Sequence, residues 1–323
     1  MKYRTFGRTG WSVSEIGYGM WGLAGWTGSD DRETMAALER SVQLGCNFFD
    51  TAWAYGDGRS EQMLGRLVHN HPDKELFVAT KIPPKNRQWP SRRGVRIDDV
   101  FPPEYIREYA EKCLRNLELT RIDLLQFHVW EDDWAHDERW QRAIDDLKRE
   151  ALVRAVGISI NRWEPANAVE TIRTGFIDAV QVIYNIFDQA PQDELLPLCE
   201  ELAIAVIARV PFDEGTLTGT LTKQSTWPEG DWRNTYFVPE NLHASVDHAE
   251  ALRPLIPPGM TMPELALRWI LADHRISTII PGMRKIRNVE ANMATSDGKA
   301  LDSELLEKLK DHRWDRTPTE WSQ

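Results

Sequence analysis

Two hydrophobic periods take turns along this chain. Short, nearly continuous apolar runs read as buried strands, and stretches with apolar residues every three or four positions read as amphipathic helices. The runs lie at 15–21, 46–50, 76–81, 122–127, 152–158, 178–182, 204–208 and 276–280. Helical spacing follows them at 60–69, 103–118, 137–150, 164–174, 192–202, 262–272 and 288–294, and a last amphipathic helix fills 302–312. After the first run, Thr34, Ala37, Leu38, Ser41 and Val42 mark one helix face and Gly45 ends it. Ahead of everything, Tyr3 to Phe6, the turn Gly7-Arg-Thr-Gly10 and Trp11 to Ser14 form a predicted hairpin.

Eight strands alternating with helices imply βαβ units and a parallel sheet. In 323 residues this predicts a single domain, 1–323, folded as a (β/α)8 TIM barrel behind an N-terminal β-hairpin. A doubly wound open sheet is the alternative, but the Gly-x-Gly-x-x-Gly turn it would use for a nucleotide is missing. The connections 83–102 and 211–240 are long, and the second is rich in Gly, Pro, Thr and Trp. They are expected as long loops at the C-terminal face, where such loops carry function.

Composition narrows the picture. A net charge of −11 disfavours nucleic acid as a partner, since phosphate binding needs clustered Lys and Arg. No apolar run reaches 18 residues, so no membrane-spanning helix is expected. Cys46, Cys113 and Cys199 are odd in number and far apart, which suits unpaired thiols in a reducing, cytoplasmic setting. The N-terminus has no apolar signal segment. No histidine pair has metal-ligand spacing, so no metal is expected.

Four residues carry the candidate chemistry. Asp50 and Tyr55 follow the run ending Phe48-Phe49, Lys81 closes 76–81, and His128 closes 122–127. In a barrel these strand ends converge on one face. Reducing a carbonyl needs a proton donor for the developing alkoxide. A free tyrosine is a poor acid, but an ammonium beside it stabilises the phenolate and lowers its pKa. Lys81 would do this for Tyr55, Asp50 would pair with Lys81, and His128 would orient the substrate oxygen. Taken singly, each has a plainer reading as a cap, a surface charge or a lining residue. Together at successive strand ends they point to one pocket.

These residues and their surroundings resemble the aldo-keto reductase family. The resemblance rests on Asp50-Thr-Ala-x-x-Tyr-Gly56, Gly58-Arg-Ser-Glu61, Lys81, His128, Gly157-Ile-Ser159, Gln181, and Ile280-Pro-Gly282 with Asn292. It extends to Gly7-Arg-Thr-Gly10 and Val13-Ser-x-Ile-Gly17, so it covers nearly the whole chain. It implies a (β/α)8 barrel that binds NADPH (NADP+) in extended form and reduces a small aldehyde or ketone. The alternative is a regulatory subunit that keeps the cofactor as a sensor. Neither the natural substrate nor the oligomeric state is written in the sequence.

The resemblance also implies cofactor contacts. Ser159, Asn161 and Gln181 would hold the nicotinamide amide, although Ile160 separates a serine and asparagine that relatives place side by side. Arg209 stands where many relatives carry an aromatic that stacks on the nicotinamide. A planar guanidinium can stack there, or it can pair with Asp213 or Glu214. Pro211, Phe212, Gly215, Leu217 and Gly219 belong to a loop expected over the pyrophosphate. Gly282, Met283, Arg284, Lys285, Asn288 and Asn292 would meet the adenosine phosphate. There Arg284, Lys285 and Arg287 favour the extra phosphate of NADPH, or form a solvated helix start. Trp21, Trp53 and Trp130 are expected to line the substrate pocket, with Trp26, Trp89 and Trp232 on loops that fold over it.

Overall fold

The computed structural model of the protein describes residues 1–23 and 30–322. Its main sheet has eight parallel strands in chain order: β3 (Tyr18–Gly19), β4 (Phe48–Asp50), β5 (Phe77–Ile82), β6 (Ile122–Phe127), β7 (Val153–Ser159), β8 (Ala179–Ile183), β9 (Ala205–Arg209) and β10 (Thr278–Ile279). The sheet curls until its outer strands meet. Gly17 N donates to Ile279 O (2.8 Å), Ile279 N to Glu15 O (3.0 Å) and Gly19 N to Pro281 O (3.1 Å). Glycine is needed at this seam, because a Cβ on Gly19 would stand 2.5 Å from the Ile280 carbonyl oxygen. The expected (β/α)8 barrel is therefore the fold.

The hairpin, β1 (Tyr3–Phe6) paired antiparallel with β2 (Trp11–Ser14), closes the N-terminal end of the barrel. Its Phe6 and Trp11 rings lie 5.2 Å from Phe48 and 5.2 Å from Phe77, respectively. These aromatics join Ala79, Leu124, Ala155, Ala179, Ala205 and Ile207 in one apolar cluster inside the strands. Helices pack on the outside. Pro103–Leu117, for instance, buries Ile106, Ala110, Cys113, Leu114 and Leu117, a 3.6-residue stripe, against the sheet side.

Several elements depart from those expected. The helix at 164–174 shortens to Val169–Arg173, with turns where Pro165 interrupts it. β3 and β10 are two residues each, shorter than their apolar runs, because they pair only across the seam and with one full strand. A helix, Pro239–Leu252, follows the long irregular stretch. It buries Leu242, Val246, Ala249 and Leu252 at helical spacing and begins with Pro at a first-turn position.

Candidate active site

Strand alternation builds the site. Successive side chains point to opposite faces, so every second residue enters the barrel. Along β4 the inward pair is Phe48 then Asp50. Along β5 it is Phe77, Ala79, Lys81; along β6, Leu124 then Gln126; along β8, Ala179 then Gln181; along β9, Ala205, Ile207, Arg209. The lower positions are apolar and belong to the interior cluster. The upper positions are polar, and they meet.

The Lys81 ammonium is fully enclosed, and its three donors are all used. It donates to Asp50 Oδ1 (2.5 Å), to the Thr51 carbonyl (2.8 Å) and to Tyr55 Oη (3.4 Å). Asp50 Oδ2 accepts from Gln126 Nε2 (2.9 Å) and Gln181 Nε2 (2.8 Å). The Tyr55 and His128 rings stand edge to face, 5.6 Å between centroids. The four expected residues thus come together, and Gln126, which the sequence reading passed over, joins them.

Burial alone would depress the Lys81 pKa, but the Asp50 and Tyr55 oxygens beside it hold it above its usual value. Burial pushes His128 well below its usual value, and Lys81 and Arg209 push in the same direction. The imidazole is therefore neutral at physiological pH. Tyr55 corrects an expectation. Burial raises its pKa above 10.0 and Asp50 adds to the rise; Lys81 and Arg209 pull it down without reversing the outcome. The ammonium restrains the rise and does not create an unusually acidic phenol.

Ser159 and Gln181 are paired across β7 and β8, both buried. The Gln181 amide nitrogen is committed to Asp50 and Gln126. Asn161 Nδ2 donates to Glu131 (2.8 Å), while its buried Oδ1 has no hydrogen-bond partner. Arg209 Nη2 donates to the Ile160 carbonyl (3.0 Å), and its buried Nε has none. The carboxylates considered for it are engaged elsewhere: Asp213 with Arg316 (2.7 Å) and Glu214 with Arg162 (2.5 Å). Burial, reinforced by Arg162, lowers the Arg209 pKa to about 10.

The segment after β9 turns sharply. Asp213, Glu214 and Gly215 have φ of 45°, 56° and 112°, a left-handed run. Pro211 is buried, Phe212 half-buried, and Gly215 and Gly219 reach the surface in part. Leu217 is fully buried, so its side chain packs in the core and is closed to a ligand in this conformation. The same holds for Met283, whose carbonyl accepts from the Tyr18 hydroxyl. Gly282, Lys285, Arg287 and Asn288 are exposed, Arg284 is half-buried, and Asn292 is buried. Lys285 occupies the N-cap position of the helix Ile286–Ala294 without a side-chain capping bond, and the first turn holds no acidic residue.

The aromatic lining also needs correction. Trp130 is fully buried among Phe127, Trp134 and Trp140, with Nε1 bonded to Thr171. It is core, not pocket. Trp53 packs edge-on against Tyr109 at 4.9 Å. Trp21 is exposed and meets Trp232 edge-on at 5.2 Å. Trp89 is the indole that reaches His128, at 5.8 Å and 81°. Trp26 lies outside the described residues.

With this geometry in hand, comparison with known proteins is specific. Residues 15–313 match the model of the Aldo/keto reductase family. The chain belongs to that family. This aldo-keto reductase is 30% identical to the NADH-specific methylglyoxal reductase of Escherichia coli, with 96% of this chain and all of that one aligned. It is 29% identical to an oxidoreductase of Bacillus subtilis, over 97% and 96% of the two chains. Among solved structures, a Bacillus halodurans aldo-keto reductase in its holo form aligns over the whole of both chains with a TM-score of 0.78 and 26% identity. A glycerol dehydrogenase of Gluconobacter oxydans aligns over 94% and 92% with a TM-score of 0.77 and 26% identity. The protein is thus an NAD(P)H-dependent oxidoreductase. Among the described residues, no helix of this aldo-keto reductase is long and apolar enough to cross a membrane, and no cluster of His, Cys, Asp and Glu is arranged to hold a metal.

Proposed function

We propose that this enzyme reduces an aldehyde or ketone with NADPH and that Tyr55 protonates the substrate oxygen. The observation carrying this reading is the Lys81 ammonium, which joins Asp50 to Tyr55 in an enclosed site. Tyr55 keeps its proton at neutral pH and has it ready to give. His128 is held neutral, so it serves as a hydrogen-bond donor that orients the carbonyl oxygen and not as a cationic acid. Lys81 stabilises the phenolate left behind, and Asp50 keeps Lys81 charged. Bound reduced nicotinamide would supply the hydride. Trp89, beside His128, favours an apolar or aromatic substrate.

The chain's own residues suit the cofactor. Buried polar atoms without partners run from the catalytic cluster to the loop after β9: Asn161 Oδ1, Arg209 Nε, Asp213 Oδ2 and Thr216 Oγ1. An extended dinucleotide has donors and acceptors to meet them. Ser159, Asn161 and Gln181 would hold the carboxamide, the last through its carbonyl oxygen. Arg284 and Lys285 would meet the adenosine phosphate at a helix start whose dipole favours anions.

The Escherichia coli relative is named for NADH, so cofactor choice is tested directly. Arg284→Ala combined with Lys285→Ala should weaken NADPH by about ten- to a hundredfold, the size of a lost charge-assisted contact of about 1.5–3 kcal/mol. NADH lacks that phosphate and should barely respond. Fluorescence titration with both cofactors reads the result, and equal losses would return these residues to the helix surface. NADPH oxidation with a panel of aldehydes and ketones tests the reaction itself.

Arg209 without a carboxylate partner suits a position against the nicotinamide. Its charge would then disfavour the oxidised, cationic ring and spare the neutral reduced one. Two unit charges 4 Å apart repel by about 4 kcal/mol at an effective dielectric of about 20, before hydration reduces the effect. Arg209→Tyr should narrow the gap between NADPH and NADP+ affinities by roughly tenfold, mainly by tightening NADP+. Dissociation constants for both redox forms decide it, and an unmoved ratio places Arg209 away from the ring.

A further inference from the structure

Gln126 occupies an inward position on β6, in register with Lys81 on β5. It is fully enclosed by protein, with no exposed surface of its own. Its Nε2 donates to Asp50 Oδ2 at 2.9 Å, on the oxygen that Lys81 does not use. Its own Oε1 accepts from Gln181 Nε2 at 3.3 Å, which fixes the amide's orientation. Gln181 supplies the second donor to Asp50 Oδ2, but Gln181 also faces the proposed cofactor site. Gln126 has no second duty.

Resting on the reading of Tyr55 as proton donor, we propose that Gln126 is a positioning residue. It holds the Asp50 carboxylate against the Lys81 ammonium and thereby keeps that ammonium in place beside Tyr55. A carboxylate removed from water stays ionised only where donors replace its hydration. Asp50 has three side-chain donors: Lys81, Gln126 and Gln181. Losing Gln126 removes one of the two amide donors on Asp50 Oδ2 and lets the carboxylate turn, drawing the Lys81 ammonium away from Tyr55. Lys81 is the strongest downward influence on Tyr55, so an ammonium drawn away from the hydroxyl lets the phenol rise further. The other titratable groups around the cluster stay in place: the neutral His128 beyond β6, the Arg209 guanidinium on β9, and Glu61 on the helix Arg59–Asn70, itself bonded to Thr80 and Asn116.

The test is Gln126→Met, which keeps length and bulk but removes the donor. Alcohol oxidation by NADP+ is followed against pH, with the alcohol taken from the best carbonyl of the substrate panel. Turnover at neutral pH should fall about ten- to a hundredfold, the effect of one lost hydrogen bond to a charged group. The alkaline rise of the profile should move up by about one pH unit, while the NADP+ dissociation constant stays within about twofold. Gln126→Glu is the second variant and covers a misfolded Met variant. Its carboxyl can donate to Asp50 only while protonated, so turnover should be lost as that carboxyl ionises. An unmoved profile in the folded Met variant, or a Glu variant matching wild type at every pH, overturns the proposal. Tyr55→Phe is measured alongside. If it turns over, the reading of Tyr55 fails; if it is inert and the Gln126 profiles do not move, only the role of Gln126 fails.

Discussion

Tyr55→Phe is expected to abolish carbonyl reduction while leaving NADPH binding nearly intact. The substitution removes one oxygen and keeps the ring against His128. A general acid contributes about 10²–10⁴-fold, and no neighbour can replace this one. His128 is held neutral by burial and by the charges of Lys81 and Arg209. The Lys81 ammonium stays bonded to Asp50 and Thr51, and against burial the Asp50 carboxylate holds its pKa up, which makes it a poor acid. Turnover should therefore drop by at least a hundredfold where chemistry limits the rate, with a cofactor titration close to wild type. A variant keeping more than about a tenth of wild-type turnover would remove Tyr55 from the acid role.

Lys81→Met should have the second largest effect, and its sign follows from the site's charges. Tyr55 lies above its ordinary pKa because burial outweighs the pull of Lys81 and Arg209. Reduction needs the protonated phenol, so its rate is lost as pH rises through that pKa. Oxidation needs the phenolate and gains over the same range. Removing Lys81 takes away the strongest downward influence, so Tyr55 rises further. The alkaline limb of the oxidation profile should move up, and turnover at neutral pH should fall by about 10²-fold or more. The change also leaves Asp50 buried without its cation, which costs about 3–5 kcal/mol. Lys81→Met with Asp50→Asn should recover most of that stability in urea unfolding without restoring the profile. A profile that stays in place would mean that Lys81 supports the fold and not the proton transfer.

The four residues were legible because Asp50, Lys81 and His128 close apolar runs and Tyr55 follows one in the next turn, and parallel strands bring such ends together. Gln126 was legible too. It lies two residues after inward Leu124 and two before His128, a polar residue inside a strand, but strand ends drew the reading past it. Trp130 misled by nearness to His128 in sequence; three residues past the strand, its ring packs against Trp134 and Trp140. The pKa of Tyr55 could not be read from its neighbours, because burial outweighs them and is a property of the whole barrel. The partners of Arg209 were equally hidden. Asp213 and Glu214 are close in sequence, yet their cations come from Arg316 and Arg162 in distant loops.

The barrel seam bears on how the molecule is assembled. It joins segments as far apart as Ser14 and Thr278, 264 residues along the chain. Contacts between segments so distant form slowly, because the intervening chain must first be ordered. Until they form, β3 and β10 are unpaired edges of an open parallel sheet. An open edge offers its backbone groups to any strand that arrives, including one from another copy. Gly17 and Gly19, which let the two edges meet, therefore also remove both open strand edges from the finished barrel.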